Sequence, residues 1–403
     1  MINSGDTAWV LISAALVILM TPAVGFFYGG MVRKKSILST IMMCFAALFL
    51  ITVQWALFGF TLAFGPSKAG IIGGLSWVGL SGVGQAPNPA YAATIPFLAF
   101  MFFQAAFAIV TPSLIVGAFV ERIKFSTFLF FSLIWSTIVY APVAHWVWGV
   151  GGWLRVLGAL DFAGGMVVHV TAGFSALAIA IVIGKRNGYG KDNMEPSNIP
   201  LVVLGAALLW FGWFGFNGGS ALGANGLAAS TVVATNLGGA AGALVWMVLS
   251  WMHRRPSVLG VATGAVVGLA AVTPASGYVG PLAALIIGAV ASVISYYMII
   301  LRMKLRIDES LDVFACHGMG GLWGSIAIGL FASKAINPAG ANGLFFGNSS
   351  LLLTQTFAAI IIAVFSFGVT FVLAKILDKT MGLRVKYNEE TVGLDISQHA
   401  ESI

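Results

Sequence analysis

Residues 161–186, "DFAGGMVVHVTAGFSALAIAIVIGKR", decide how this chain is read. After Asp161 no further acidic or basic residue except His169 appears before Lys185. At about 1.5 Å per residue that run is long enough, as a helix, to cross a hydrocarbon core of about 30 Å. Ionisable groups inside a span are costly and usually face a protein interior or a watery cavity. The stretch therefore predicts a membrane helix with a working interior face.

The rest of the chain agrees. Of its 403 residues 59% are hydrophobic and only 8% charged, which excludes an ordinary soluble domain. Fifty glycines would weaken exposed helices, but between packed membrane helices small residues allow backbones to approach closely. Apolar runs predict eleven spans, near 7–32, 37–64, 94–118, 125–147, 161–184, 197–217, 226–252, 257–275, 279–301, 311–332 and 352–377. The start, MINSGDTAWV, lacks a basic n-region, so no signal peptide is expected and the first span is retained. Cys44 and Cys316 lie in apolar segments without metal-ligand spacing, so neither a disulfide framework nor a metal site is expected, and no cofactor is implied.

The net charge of +7 is dispersed in small clusters between spans, which argues against a nucleic-acid partner. Seventeen of the twenty Lys and Arg residues fall in alternate gaps, among them Arg33, Arg122, Arg186, Arg254 and Arg302; the other gaps hold only Lys68, Arg155 and Lys334. By the positive-inside rule the N-terminus lies outside and the C-terminus in the cytoplasm. Residues 1–378 form the transmembrane domain and 379–403 a cytoplasmic tail. The Gly, Pro and Ser-rich outer connection over 65–93 is expected to be a structured loop.

Eleven spans divide as five plus five plus one, and because five is odd the halves enter with opposite orientation, an arrangement recurrent in transporters. The fifth span of each half carries an acid and a histidine: Asp161 with His169, and Asp312 with His317. Each histidine sits in a stripe of small residues at helical spacing, including Gly165, Ala172 and Gly173 in one helix and Gly320, Gly321 and Gly324 in the other. Both rings are expected in the middle zone of the membrane, close enough to meet. Two adjacent neutral imidazoles can share a proton between nitrogens and present the remaining donor and acceptor to a pore. Either acid can cap its helix; Asp161 is also expected to favour a cation at the outer mouth without touching it.

These residues resemble the ammonium transporter family (Amt/Mep/Rh). The matching stretches are "GFFYGGMVRKKS" at 25–36, "LIVGAFVERIKFS" at 114–126, "DFAGGMVVHVTAGFSALA" at 161–178, "WFGFNGGSALGAN" at 213–225 and "DVFACHGMGGLWG" at 312–324. They cover almost the whole chain in family order. The resemblance implies a multi-pass cell-membrane transporter of the prokaryotic Amt type, assembled as a homotrimer with one pore per subunit. It implies an outer recruitment site at Trp148, Phe103 and Ser220, with Asp161 beside it, and a phenyl gate of Phe107 and Phe216 above His169 and His317. A tryptophan face attracts ammonium and a hydroxyl accepts one of its hydrogen bonds. It also implies a PII-type regulatory partner on the cytoplasmic face. The tail resembles the family's C-terminal segment in "GLRV" and "EE..GLD" and is expected to pack on the inner face.

The expected mechanism is recruitment of ammonium, deprotonation near the gate and passage of ammonia along the histidines, because a bare ion in an apolar constriction costs several kcal/mol or more. Net ammonia flux and electrogenic uptake both remain open on sequence, with electrogenic uptake favoured. An ammonium sensor is the alternative; a tail of some 25 residues is short for a signalling domain. An enzyme is not expected, since no nucleophile stands paired with a base at suitable spacing.

Overall fold

The apolar runs fold into eleven membrane-crossing helices among the described residues, which are 1–253 and 255–402 of a computed structural model. Arg254, counted above with the basic residues, lies outside the described residues. The first half contains α1 (Ser4–Met31), α2 (Lys34–Phe64), α3 (Phe97–Phe119), α4 (125–148) and α5 (Gly165–Ile183). The second contains α6 (Ile199–Gly219), α7 (Gly226–His253), α8 (Val258–Val272), α9 (Pro281–Lys304) and α10 (Phe314–Phe331). The eleventh helix, α11 (Ser349–Thr380), lies along α5 and α10. Two short helices, α12 (Tyr387–Val392) and α13 (Leu394–His399), form the tail.

The halves meet through equivalent elements. The first helices of each half, α1 and α6, pack together along much of their length, and the fifth helices, α5 and α10, face each other. That pairing is what an inverted repeat produces about an axis in the membrane plane. Outer and inner below follow the side assignment made by the basic residues.

Glycine permits both approaches. A side chain on Gly205 of α6 would strike the backbone of Phe27 in α1, and one on Gly173 of α5 would strike the backbone of Gly318 in α10. Gly321 faces His169 itself: a Cβ there would sit 2.7 Å from that of the histidine. The expected small-residue stripes thus do work as close-approach surfaces.

Three local features differ from expectation. First, α8 is a 15-residue helix, shorter than the expected 257–275 span and short of a 30 Å core. The chain completes the crossing as an irregular buried turn through Thr273, Pro274 and Ala275, which the membrane tolerates because protein surrounds it; the Pro274 carbonyl accepts the Phe162 N–H at 3.0 Å. Second, α5 begins at Gly165 and not at residue 161, with Asp161 capping it from four residues upstream. Third, the cap of α10 is Glu309: its carboxylate accepts the N–H groups of Val313 at 2.6 Å and Phe314 at 3.2 Å. Asp312, a candidate for that role, turns away to pair with Arg302 Nε at 2.6 Å.

The outer connection is structured as expected. It carries a two-stranded ribbon, β1 (Ser67–Lys68) and β2 (Ile72–Gly73), over a cluster of aromatic rings that includes Phe64, Trp77, Tyr91 and Phe100.

Candidate functional site

The outer mouth is a cavity of ≈ 370 Å³ whose wall includes Phe107, Trp148, Arg155, Phe162, Ser220 and Tyr278. Trp148 ends α4, and its indole N–H donates to the Asp161 carbonyl at 2.8 Å, so the ring is held in one orientation. The Asp161 carboxylate does something else. Oδ1 accepts the N–H groups of Gly164 and Gly165 at 2.8 and 2.7 Å, and Oδ2 those of Met166 and Val167 at 2.8 and 3.0 Å. One residue therefore fixes both the recruiting ring, through its backbone, and the start of the histidine-bearing helix, through its side chain. The negative charge expected near the outer mouth faces the helix N-terminus, where the dipole and unpaired N–H groups favour it.

Asp161→Asn is expected to lower thermal stability and flux together. An amide keeps one accepting oxygen and turns an NH2 toward two N–H donors, costing roughly 1–3 kcal/mol for each donor left unpaired. Tryptophan fluorescence on heating in detergent, beside flux per folded protein, measures both; an unchanged melting temperature contradicts the cap.

Ser220 closes α6, and its hydroxyl donates to the Phe216 carbonyl at 2.9 Å, leaving oxygen lone pairs free to accept. Phe103 lies elsewhere than at the vestibule wall. It is 0% exposed, stands behind Phe107 with ring centroids 5.0 Å apart, and packs into the space opposite Gly219. It backs the aromatic wall without lining it, because α3 turns Phe107, one helical turn on, toward the pore axis.

Beneath the vestibule Phe107 and Phe216 meet at 4.4 Å between ring centroids, tilted by 51°. Trp148 stands edge-on to Phe107 at 5.8 Å, and Phe216 in turn stacks on His169 at 5.9 Å. His169 and His317 stack at 5.1 Å with their Nδ1 atoms 3.2 Å apart. The residues singled out in five distant stretches thus line up in one series, with Phe103 one layer behind.

Around the two rings remains a narrow void of ≈ 10 Å³, walled by Met20, Val24, Leu114, Leu209, Trp213 and Phe216 among others. That is about the space of one small molecule. For the Nδ1 atoms to bond, one ring must donate and the other accept. The donating ring then has a bare Nε2 and the accepting ring carries its proton on Nε2. His169 Nε2 has no partner in the protein. The pair can therefore offer one donor and one acceptor to a passing molecule while remaining neutral.

Both histidines lie in π turns, Gly165–Val170 in α5 and Phe314–Gly318 in α10. A π turn widens the helix and re-aims its side chains, and such turns recur at functional sites. Sequence periodicity alone gives no sign of them. Two further pore residues were also missed: Trp213, tilted on His169 at 5.7 Å and anchored by its N–H to Thr273 Oγ1 at 2.8 Å, and Tyr28, whose hydroxyl donates to the Leu114 carbonyl at 3.1 Å. Only the aromatic run "GFFYGG" hinted at Tyr28.

The inner mouth is a cavity of ≈ 280 Å³ that reaches His317 and has Tyr28, Thr263, Asp312 and Cys316 in its wall. Around it the basic residues that set topology are also tied into the fold. Arg186 pairs with Asp308 at 2.8 Å and with Glu121 at 3.2 Å, and Arg33 pairs with Glu121 at 2.7 Å. Burial alone would raise the Glu121 carboxyl, but Arg186 and Arg33 outweigh it and hold it below the usual carboxylate range. Arg122 is fully buried, which pulls its guanidinium down to about 10, and it donates to the carbonyls of Ala118, Gly184 and Asp308. The tail packs here as expected. Asp395 accepts the N–H groups of Leu38 and Ser39, Lys35 donates to the carbonyls of Glu390 and Thr391, and Glu390 pairs with Arg384 at 2.7 Å.

Comparison with known proteins gives a single family. Residues 8–403 match the profile described as Ammonium Transporter Family. The chain is 50% identical over 399 residues to ammonium transporter Amt1 of Archaeoglobus fulgidus, with 99% of each chain covered. It is similar to the crystal structure of Saccharomyces cerevisiae Mep2, with a TM-score of 0.90, 34% identity, and 96% of this chain and 89% of that chain covered. A solved structure titled Sensor Amt Protein also has a TM-score of 0.90, at 29% identity, with 98% of each chain covered.

Proposed function

The chain belongs to the ammonium transporter family and is a multi-pass membrane protein, not an enzyme, and from that premise we propose that it carries ammonium across the cell membrane as ammonia. Ammonium is recruited at Trp148 and Ser220, with Phe103 supporting Phe107 from behind and Asp161 setting the indole. At the gate of Phe107 and Phe216 ammonium gives one proton to vestibule water, the N–H electron pair staying on nitrogen. Ammonia then passes His169 and His317 to the inner mouth. The observation that carries this reading is the unbroken order of vestibule, phenyl pair and stacked imidazoles.

The chemistry follows from what each layer can offer. In the vestibule an indole face and a hydroxyl oxygen suit a small cation with N–H donors. The gate has no polar group to replace a hydration shell, so the charged form stops there. Beyond it, ammonia accepts from an imidazole N–H through its lone pair and donates to the bare nitrogen. Potassium can neither donate nor shed its charge. Family resemblance extends the proposal to a homotrimer with one pore per copy, met on its inner face by a PII-type protein.

Trp148→Leu tests the recruitment step. Loss of the cation-π attraction, worth about 0.5–2 kcal/mol, is expected to raise the half-saturating ammonium concentration about 2- to 30-fold in proteoliposome flux assays. An unchanged half-saturation contradicts recruitment at the indole. A second reading, an ammonium sensor, is favoured by the likeness to Sensor Amt Protein along the whole chain. The same assay separates the two, since saturable substrate flux by the purified protein is a transporter's property.

A further inference from the structure

The cavity that gathers cations carries a cation of its own. Arg155 belongs to the short helix Trp153–Leu157 that follows α4, and its side chain lines the vestibule together with Phe107, Trp148 and Ser220. It also lines an adjoining cavity of ≈ 490 Å³ beside Asp161 and Tyr278. Its Nη1 donates to the backbone carbonyl of Trp148 at 2.5 Å.

Among the described residues no carboxylate forms an ion pair with Arg155. Asp161, the acid of this region, has both carboxylate oxygens committed to four backbone N–H groups. The other titratable groups lining the two cavities are phenols: Tyr278, and Tyr91, whose hydroxyl donates to the Phe64 carbonyl and accepts the Val150 N–H. A cation held at Trp148 therefore shares its cavity with a guanidinium that no carboxylate pairs.

We propose that Arg155 is a specificity-determining residue that biases the vestibule toward the neutral form of the substrate. Its charge raises the energy of bound ammonium and leaves ammonia almost untouched. The same free energy weakens cation binding and favours loss of the proton, since the two are linked. In that step one N–H bond of ammonium breaks, its electron pair stays on nitrogen, and the proton leaves to vestibule water. Capture by the indole then does not become a trap above the gate. The inference rests on the reading of Trp148 as the recruiting residue.

The test is ammonium flux in proteoliposomes by Arg155→Gln and Arg155→Lys, with Trp148→Leu in parallel. Arg155→Gln is expected to lower the half-saturating concentration about threefold at low salt, the scale of a unit-charge interaction across several ångströms of water. Maximal flux should fall with it, because deprotonation loses its push. Both changes should vanish in about 1 M of a bulky-cation salt, where the Debye length is about 3 Å. Arg155→Lys, which keeps the charge and loses the fork, should behave as wild type. If the guanidinium only braces the Trp148 carbonyl, half-saturation rises in both Arg155 variants whatever the salt, and the proposal is overturned. An unmoved half-saturation in Arg155→Gln overturns it equally. If Trp148→Leu shifts as expected, such a failure falls on Arg155 alone; if Trp148→Leu is unmoved, the recruitment reading fails instead.

Discussion

Replacing His169 and His317 together with alanine is expected to abolish the distinction between ammonium and potassium and to cut ammonia flux at low substrate about tenfold. The two rings stack at 5.1 Å beside a void of only ≈ 10 Å³, so their removal does two things at once. It deletes the donor and acceptor that a passing ammonia molecule uses, a loss on the order of 1.5 kcal/mol for a single neutral hydrogen bond and about tenfold in rate if felt at the barrier. It also opens a gap between Phe216 and the inner mouth. Two missing imidazoles leave room for several water molecules, next to polar backbone that can hold them. A hydrated pore is the condition under which potassium can follow. Flux of both substrates by folded double-variant protein in proteoliposomes measures the effect. Wild-type flux with wild-type selectivity would leave the stacked pair as packing.

Gly173→Val is expected to do comparable harm without touching a polar group. Gly173 lies one helical turn beyond His169, and its Cα faces the backbone of Gly318, the residue after His317. A Cβ at Gly173 would overlap main-chain atoms of Gly318, which unlike the end of a side chain cannot turn aside. The helices α5 and α10 must then part, and the Nδ1 atoms, now 3.2 Å apart, lose contact. Overpacking of this kind costs about 1–3 kcal/mol, and the absence of any flexible atom at the clash puts this case at the upper end. Melting temperature in detergent and flux per folded protein should both fall. Gly368→Ala in α11, where a Cβ meets open space, is the contrasting substitution and should change neither. A Gly173→Val protein with wild-type stability and flux contradicts the close approach.

Much of this architecture was legible in the residues because membrane helices report on themselves. Each span must hide its own backbone from lipid, so apolar length alone places it, and the eleven expected spans fall on the eleven helices to within a few residues. The meeting of His169 with His317 was legible for a related reason: a fixed rise per residue sets the depth of each ring, and glycine stripes mark which face another helix can approach. Where α8 stops at Val272, apolar length overran the helix, because a buried turn of Thr273–Ala275 can replace helix only when surrounding protein supplies its partners. The exchange of capping roles between Asp312 and Glu309 depends on Arg302, in the last turn of the preceding helix α9, capturing Asp312. Phe103 and Phe107 are indistinguishable by type and nearly so by spacing; only packing against Gly219 decides that the first is backing and the second wall. Arg155 was counted as one of three outer basic residues, and its place beside Trp148 depends on a sharp turn at Gly149–Gly152 that no apolar pattern reveals.

The central claim is that charge stops at the phenyl pair and a neutral molecule goes on. Side-by-side concentration jumps of ammonium and potassium, applied to wild-type protein in liposomes carrying a luminal pH reporter on a current-recording membrane, test it most directly. The account predicts a saturable luminal alkalinisation with ammonium, weakened about 2- to 30-fold in Trp148→Leu at low substrate, and no current with potassium at any concentration. A potassium current through the wild-type protein, or ammonium entry without luminal alkalinisation, would contradict it.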